Sequence, residues 1–262
     1  MTLLGSRRTL VSILAASMSA VLSLLLGPSM LAQQGDFNSQ DLVWYAGYGS
    51  NLSRGRFMNY LDGGKPMGAT TPNPGSRNGS KPLADKPFVI KQFALYFADE
   101  KRSVEKWGGA AAFIQPAADS KVLGRMYLIT YEQFNDVVLQ ENGVRLREQL
   151  ENKLPPPDSI DKKTGYSLKR QIPDSLYDRL VYIGSEGGHP IFTFTTTETL
   201  PIGAPTCEYL GQIVPGIHET YPKMLESEIY TYLSRAKGVR CNIAPDQLRR
   251  WVSQLLHGHP CK

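Results

Sequence analysis

The sequence predicts one α+β domain with a mostly antiparallel sheet or small barrel. Three observations lead there. Short runs rich in β-branched and aromatic residues fill the first two thirds of the chain, separated by Gly- and Pro-containing turns. Helical spacing of apolar residues takes over in the last quarter, so strands and helices are segregated rather than alternating. Neither an internal repeat nor a linker divides the region from residue 41 to 262, and that length is enough to bury a sizeable core.

The elements follow in order. "LVWYAGY" ends at Tyr48 and gives way to Gly49-Ser50-Asn51-Leu52 and a basic stretch with helical character. Residues 62–87 are rich in Gly, Pro, Asn and Ser and lack periodicity, so they read as a mobile loop insertion. Phe88 to Ala98, Ala110 to Pro116 and Lys121 to Thr130 read as three strands. Tyr131 to Asn142 reads as a helix closed by Asn142-Gly143. After a second loop come two more strands, around "DRLVYIGS" and "PIFTFTTTE". A helical C-terminal extension follows, from "CEYLGQIVPGI" to "APDQLRRWVSQLL".

Residues 1–32 read as an export signal or N-terminal anchor. Arg7 and Arg8 precede an uncharged apolar run, Gly27-Pro28 breaks it, and Ala32 offers a small cleavage position. The arginine pair is also compatible with a twin-arginine signal. Export makes the protein periplasmic or secreted, with membrane contact confined to residues 10–26 if the signal stays uncleaved. Cleavage would remove two arginines and no acid, so the formal charge would fall from +5 to about +3. That balance, without a basic stripe interleaved with aromatics, argues against nucleic acid as a partner. An exported chain can form disulfides; of Cys207, Cys241 and Cys261, the last two are the expected pair. The histidines show no metal-ligand spacing, and neither a metal nor a cofactor is expected.

Two places can carry chemistry. On the helix from Tyr131, the apolar positions Phe134, Val137 and Val138 define a core-facing stripe, and Glu141 continues it. A carboxylate in line with a core is costly unless it is paired or given work, and proton transfer is such work. The turn at Gly49-Ser50-Asn51 can aim backbone N–H groups at an anion. Ser50 as a hydrolase nucleophile with His189 or His218 is the rival use of that turn, although "GYGSNL" is not the usual nucleophile elbow.

Taken together, "YGSNL" after a first strand, "WGGAAAFIQP", "VLGRMYLIT", a helix ending in Glu near Gly-Val, and "PTCEYLGQIVPGI" resemble the gamma-glutamylcyclotransferase family over roughly residues 43–233. The resemblance implies a small β-barrel with flanking helices and a small-molecule γ-glutamyl substrate cyclised to 5-oxoproline without a cofactor. It implies that Tyr48, Gly49, Ser50, Asn51 and Leu52 hold the glutamyl part, that Glu141 is the catalytic acid/base, and that Tyr209 offers its hydroxyl to the substrate. One departure stands out: Asn142 is inserted between the glutamate and Gly143-Val144, and a one-residue shift turns a helical side chain by about 100°. A non-catalytic exported binding protein of the same fold is the alternative.

Overall fold

The computed structural model describes residues 38, 40–144 and 154–261. The export segment expected at residues 1–32, and most of the charged run after Val144, lie outside the described residues. Among the described residues no helix is long and apolar enough to cross a membrane.

Strand β1 (Leu42–Tyr48) runs into a single 3-10 turn (Gly49–Leu52) and then helix α1 (Arg54–Asp62). Strand β2 (Ala84–Ala98) leads through the short helix α2 (Lys101–Trp107) to the long strand β3 (Ala111–Thr130), which feeds directly into α3 (Tyr131–Glu141). Strands β4 (Tyr166–Ser167), β5 (Arg179–Glu186) and β6 (His189–Thr195) complete the sheet. Helices α4 (Cys207–Thr220), α5 (Glu226–Ser234) and α6 (Pro245–Leu256) close the chain. The sheet order is β2-β3-β1-β6-β5-β4. Among the described strands only β1 and β6 pair in parallel; the other neighbours are antiparallel.

The α+β class is as the sequence predicts, but the sheet is open rather than a closed barrel. Closure would need β2 to meet β4, and β4 has only two residues with which to build a ladder. The far end of β2 is covered instead by two connecting segments, one after β6 and one between α5 and α6: Tyr96 bridges Lys237, Ala98 bridges Ile202, and Phe97 N–H donates to the Lys237 carbonyl at 2.8 Å. Covering an edge in this way removes an unpaired row of backbone groups.

The two strands expected over residues 110–130 are one. β2 pairs with both halves of β3 across one irregularity: the register shifts between Lys91 and Phe93, where Gln92, with φ +63°, stands opposite residues 117–120 of β3. A bulge of this kind absorbs the mismatch and bends both strands, so neither has to end.

The Gly/Pro-rich loop after α1 is pinned, not loosely attached. Gly64 and Asn73 exchange backbone hydrogen bonds of 3.1 and 2.8 Å, Ser76 N–H reaches the Leu61 carbonyl at 3.0 Å, and Thr70 N–H reaches Lys106 at 3.1 Å. Arg77 meets Asp136 of α3 in an ion pair of 2.8 Å, and Ala69 and Asn73 are buried. Few apolar residues are needed, because the loop satisfies its polar groups on α1, α2 and α3.

The disulfide joins Cys207 to Cys261, across 54 residues, and Cys241 is free and exposed. The pairing expected between Cys241 and Cys261 is thus corrected. Cys241 sits in the turn between α5 and α6. Helix α6 packs back on α4 and delivers the chain end to Cys207, the first residue of α4. Replacing Cys261 by Ser is expected to destabilise the fold by about 2–4 kcal/mol, because the long closed loop no longer restrains the unfolded chain. Denaturant midpoints of the two proteins under oxidising conditions measure it, and equal midpoints would refute it.

Candidate active site

The core beneath the site is aromatic. Tyr45 of β1 stacks on Phe194 of β6 at 5.3 Å and approaches Phe134 of α3 at 5.8 Å; Phe57 of α1 stacks on Tyr127 of β3 at 3.8 Å. These contacts bring the ends of β1, α1 and α3 together around a cavity of about 490 Å³.

Glu141 faces that cavity. Its Oε1 accepts a hydrogen bond from Asn51 Nδ2 at 3.1 Å and another, short one from the Tyr60 hydroxyl. The inserted Asn142 does not turn Glu141 aside. α3 starts on a capping box at Thr130 and Gln133 and keeps its register through Glu141; Asn142 lies past it as the C-cap. The Asn142 side chain donates to the Val138 and Tyr177 carbonyls at 3.1 and 3.2 Å and accepts from Tyr177 N–H at 2.9 Å. The extra residue is spent on fastening the helix end, downstream of the carboxylate.

Asn51 is held from two directions. Its Nδ2 also reaches the Tyr45 hydroxyl at 2.9 Å, and its carbonyl accepts from Tyr127 at 2.8 Å. Its Oδ1 is buried with no hydrogen-bond partner among the described residues. Ser50 hydrogen-bonds the Tyr209 hydroxyl, which also accepts from Ala112 N–H at 3.1 Å. The Tyr48 hydroxyl donates to the Phe194 carbonyl at 3.0 Å.

Of the residues singled out in the sequence, Glu141, Tyr48, Ser50, Asn51 and Tyr209 line the cavity; Gly49 and Leu52 do not. Leu52 is 1% exposed and belongs to the core, since the 3-10 turn rolls its side chain away from the opening. Gly49 is required for packing: with φ +58°, an added Cβ would stand 2.7 Å from the Ala112 Cβ. On the other side Gly216 lets α4 lie against the same turn, where a Cβ would meet Ser53 N at 2.5 Å. The turn is a tightly packed support for Ser50 and Asn51.

The hydrolase arrangement is not assembled. His189 pairs with Glu186 across the β5–β6 hairpin, His218 is exposed on α4, and no histidine lines the cavity. Among the described residues no three His, Cys, Asp or Glu side chains are grouped to hold a metal ion.

Sequence reasoning missed Tyr45, Arg56, Tyr60, Asn73, Lys106, Trp107 and Tyr177, all of which line the cavity or hold its lining. One signal was available: Arg56 and Tyr60 stand four apart on α1, so they share a face with the turn's exit. Arg56 is 3% exposed, and its Nη2 donates to the Tyr60 hydroxyl at 2.6 Å while that hydroxyl donates to Glu141. The tyrosines stay protonated. Burial, with the Glu141 charge adding to it, raises Tyr45, Tyr48, Tyr60, Tyr177 and Tyr209 above the ordinary phenol range. Lys106 is lowered to about 8, first by burial and then by the Arg56 charge, with Glu141 opposing. The cavity therefore offers Glu141, a carboxylate held by neutral donors, next to a group of cations, with Glu105 exposed at its rim. That combination can take up and return a proton beside a bound anion.

No family model matches the chain. Among curated proteins it is 32% identical over 224 residues to histone deacetylase 5 of Arabidopsis thaliana; the match covers 80% of this chain and 33% of that protein, so the chain spans about a third of its length. Among solved structures it is similar to YkqA from Bacillus subtilis, with 16% identity, a TM-score of 0.44, and 76% and 57% of the two chains covered. It is also similar to a gamma-glutamyl cyclotransferase, with 12% identity, a TM-score of 0.44, and 82% and 99% covered.

Proposed function

We propose that this chain cyclises a γ-glutamyl amide or peptide to 5-oxoproline and releases an amine or amino acid. The observation that carries the reading is the meeting of Glu141 with Asn51. The helix end and the turn carry the resemblance from positions 90 residues apart, and their side chains are hydrogen-bonded at 3.1 Å in one cavity.

In the proposed reaction the substrate's α-amine attacks its own γ-carbonyl carbon. Glu141 takes the proton that the attacking nitrogen gives up. As the new ring C–N bond forms and the old amide C–N bond breaks, Glu141 returns that proton to the leaving nitrogen. The substrate supplies nucleophile and leaving group, so the protein's part is to fold it into the reactive shape. Asn51 and Tyr60 would keep the carboxylate oriented, and Ser50 and Tyr209 would border the glutamyl part. The Cys207–Cys261 bond supports the reading of residues 1–32 as an export segment, since such bonds persist in oxidising compartments.

The test is incubation of the purified protein with a panel of γ-glutamyl dipeptides and γ-glutamylamines, with 5-oxoproline followed by mass spectrometry. Stoichiometric 5-oxoproline and amine are expected. Absence of product across the panel, with ligand binding retained, would favour the non-catalytic reading.

A further inference from the structure

The proposed chemistry uses Glu141 and leaves the cations around it unexplained. Arg56 lines the cavity from α1 and is almost wholly buried. Its Nη1 donates to Asn73 Oδ1 at 3.3 Å, its Nη2 to Tyr60, and its Nε has no partner among the described residues. Lys106 of α2 also lines the cavity and donates to the same Asn73 Oδ1 at 3.4 Å. Arg102, one turn earlier on α2, spends its guanidinium on the Asn142 and Asp174 carbonyls, both at 2.7 Å.

None of these three cations is paired with a carboxylate among the described residues. Glu141 is satisfied by Asn51 and Tyr60, and Glu105 is exposed at the rim. Two cations converging on one neutral amide oxygen repel each other, and Glu141, which meets Arg56 only through the Tyr60 hydroxyl and also acts on Lys106, sets one negative charge against two positive ones. A bound anion relieves both the repulsion and the imbalance.

The position of this group says which part of a substrate would bring the anion. Trp107 stands between the two regions, its ring 5.1 Å from that of Tyr209 and 5.8 Å from Arg56 Cζ. On one side lie Ser50 and Tyr209, the proposed border of the glutamyl part. On the other lie Arg56, Lys106 and Asn73, and Thr71, Pro72 and Pro74 of the long loop also line the cavity. Resting on the cyclotransferase reading, we propose that Arg56 and Lys106 form a carboxylate subsite for the leaving group. The substrate class is then a γ-glutamyl amino acid, with a carboxylate next to the scissile amide, and not a γ-glutamylamine.

Two substrates that differ by that carboxylate alone test it: γ-glutamylalanine and γ-glutamylethylamide, assayed with the purified full chain. A charge-assisted bond to the carboxylate predicts a kcat/KM ratio of roughly 10 to 100 in favour of the dipeptide. Lys106→Met, at a half-buried position where folding tolerates a neutral chain of similar length, is expected to lower that ratio at least tenfold, and Lys106→Arg to restore most of it. A ratio near one in the unaltered protein, or a ratio that Lys106→Met leaves in place, overturns the subsite. If neither compound yields 5-oxoproline, the cyclotransferase reading fails first. Calorimetric titration of the same pair then reads the subsite alone. Tighter binding of the dipeptide that Lys106→Met abolishes sustains it, and equal binding of the two overturns it.

Discussion

Glu141→Gln is expected to lower kcat for 5-oxoproline formation by roughly 10²–10⁴-fold, the usual worth of a positioned acid/base group. The amide keeps an oxygen that accepts from Asn51 Nδ2 and from the Tyr60 hydroxyl, so the local hydrogen bonds survive the change. What is lost is the capacity to take a proton and hand it on. Because Glu141 is half-buried at a helix end, the unfolding midpoint is expected to move little. The informative comparison is therefore single-turnover product formation alongside thermal denaturation of both proteins. A variant that folds normally and still turns over at the original rate would remove Glu141 from the mechanism.

Arg77→Met is expected to destabilise the protein by about 3–5 kcal/mol. Asp136 is fully buried on α3 and depends on Arg77, accepting from its backbone N–H at 2.8 Å, from Nε at 3.0 Å and from Nη2 at 2.8 Å. Removing the guanidinium strands a buried carboxylate, and that drives the loss more than any attraction forgone. The double variant Arg77→Met/Asp136→Leu is accordingly expected to recover much of the stability, since an apolar pair carries no such penalty. Urea unfolding of the single and double variants measures the cycle. A single variant within 1 kcal/mol of the parent would show that the pair does not anchor the loop.

The fold was legible where periodicity was strong. The stripe of Phe134, Val137 and Val138 is wholly buried, as its spacing predicts, and Glu141 extends it into a cavity. The α+β class followed from the order of strand-like and helix-like segments. Features set by distant contacts could not be read in the same way. The continuity of β3 depends on the bulge of its residues 117–120 opposite Gln92, and the openness of the sheet depends on a two-residue β4 and on Lys237 and Ile202 covering β2. The disulfide partner of Cys261 was set by how α6 returns along α4, which no local pattern in the chain encodes.

The candidate site divides along the same line. Ser50, Asn51 and Glu141 stood out because turn chemistry and helix spacing made them conspicuous, and Tyr209 only because the family resemblance implied it. Arg56, Lys106 and Asn73 did not, because each looks like an ordinary polar residue on a short helix or loop until the fold closes around it. Leu52 packs its side chain into the core; a strand-to-turn reading does not specify how a 3-10 turn rotates its last residue.

The wall formed by Thr71 to Pro74 has an evolutionary consequence. Glu141 and Asn51 are fixed by the buried frame of α3, β1 and β3, where nearly every substitution disturbs packing. The facing wall belongs to a segment without regular secondary structure, and lengthening such a segment costs only about 0.6 kcal/mol per doubling. Descendants of this chain could therefore exchange one leaving group for another by insertion and deletion in a surface stretch, while the residues proposed to move the proton stay under purifying selection.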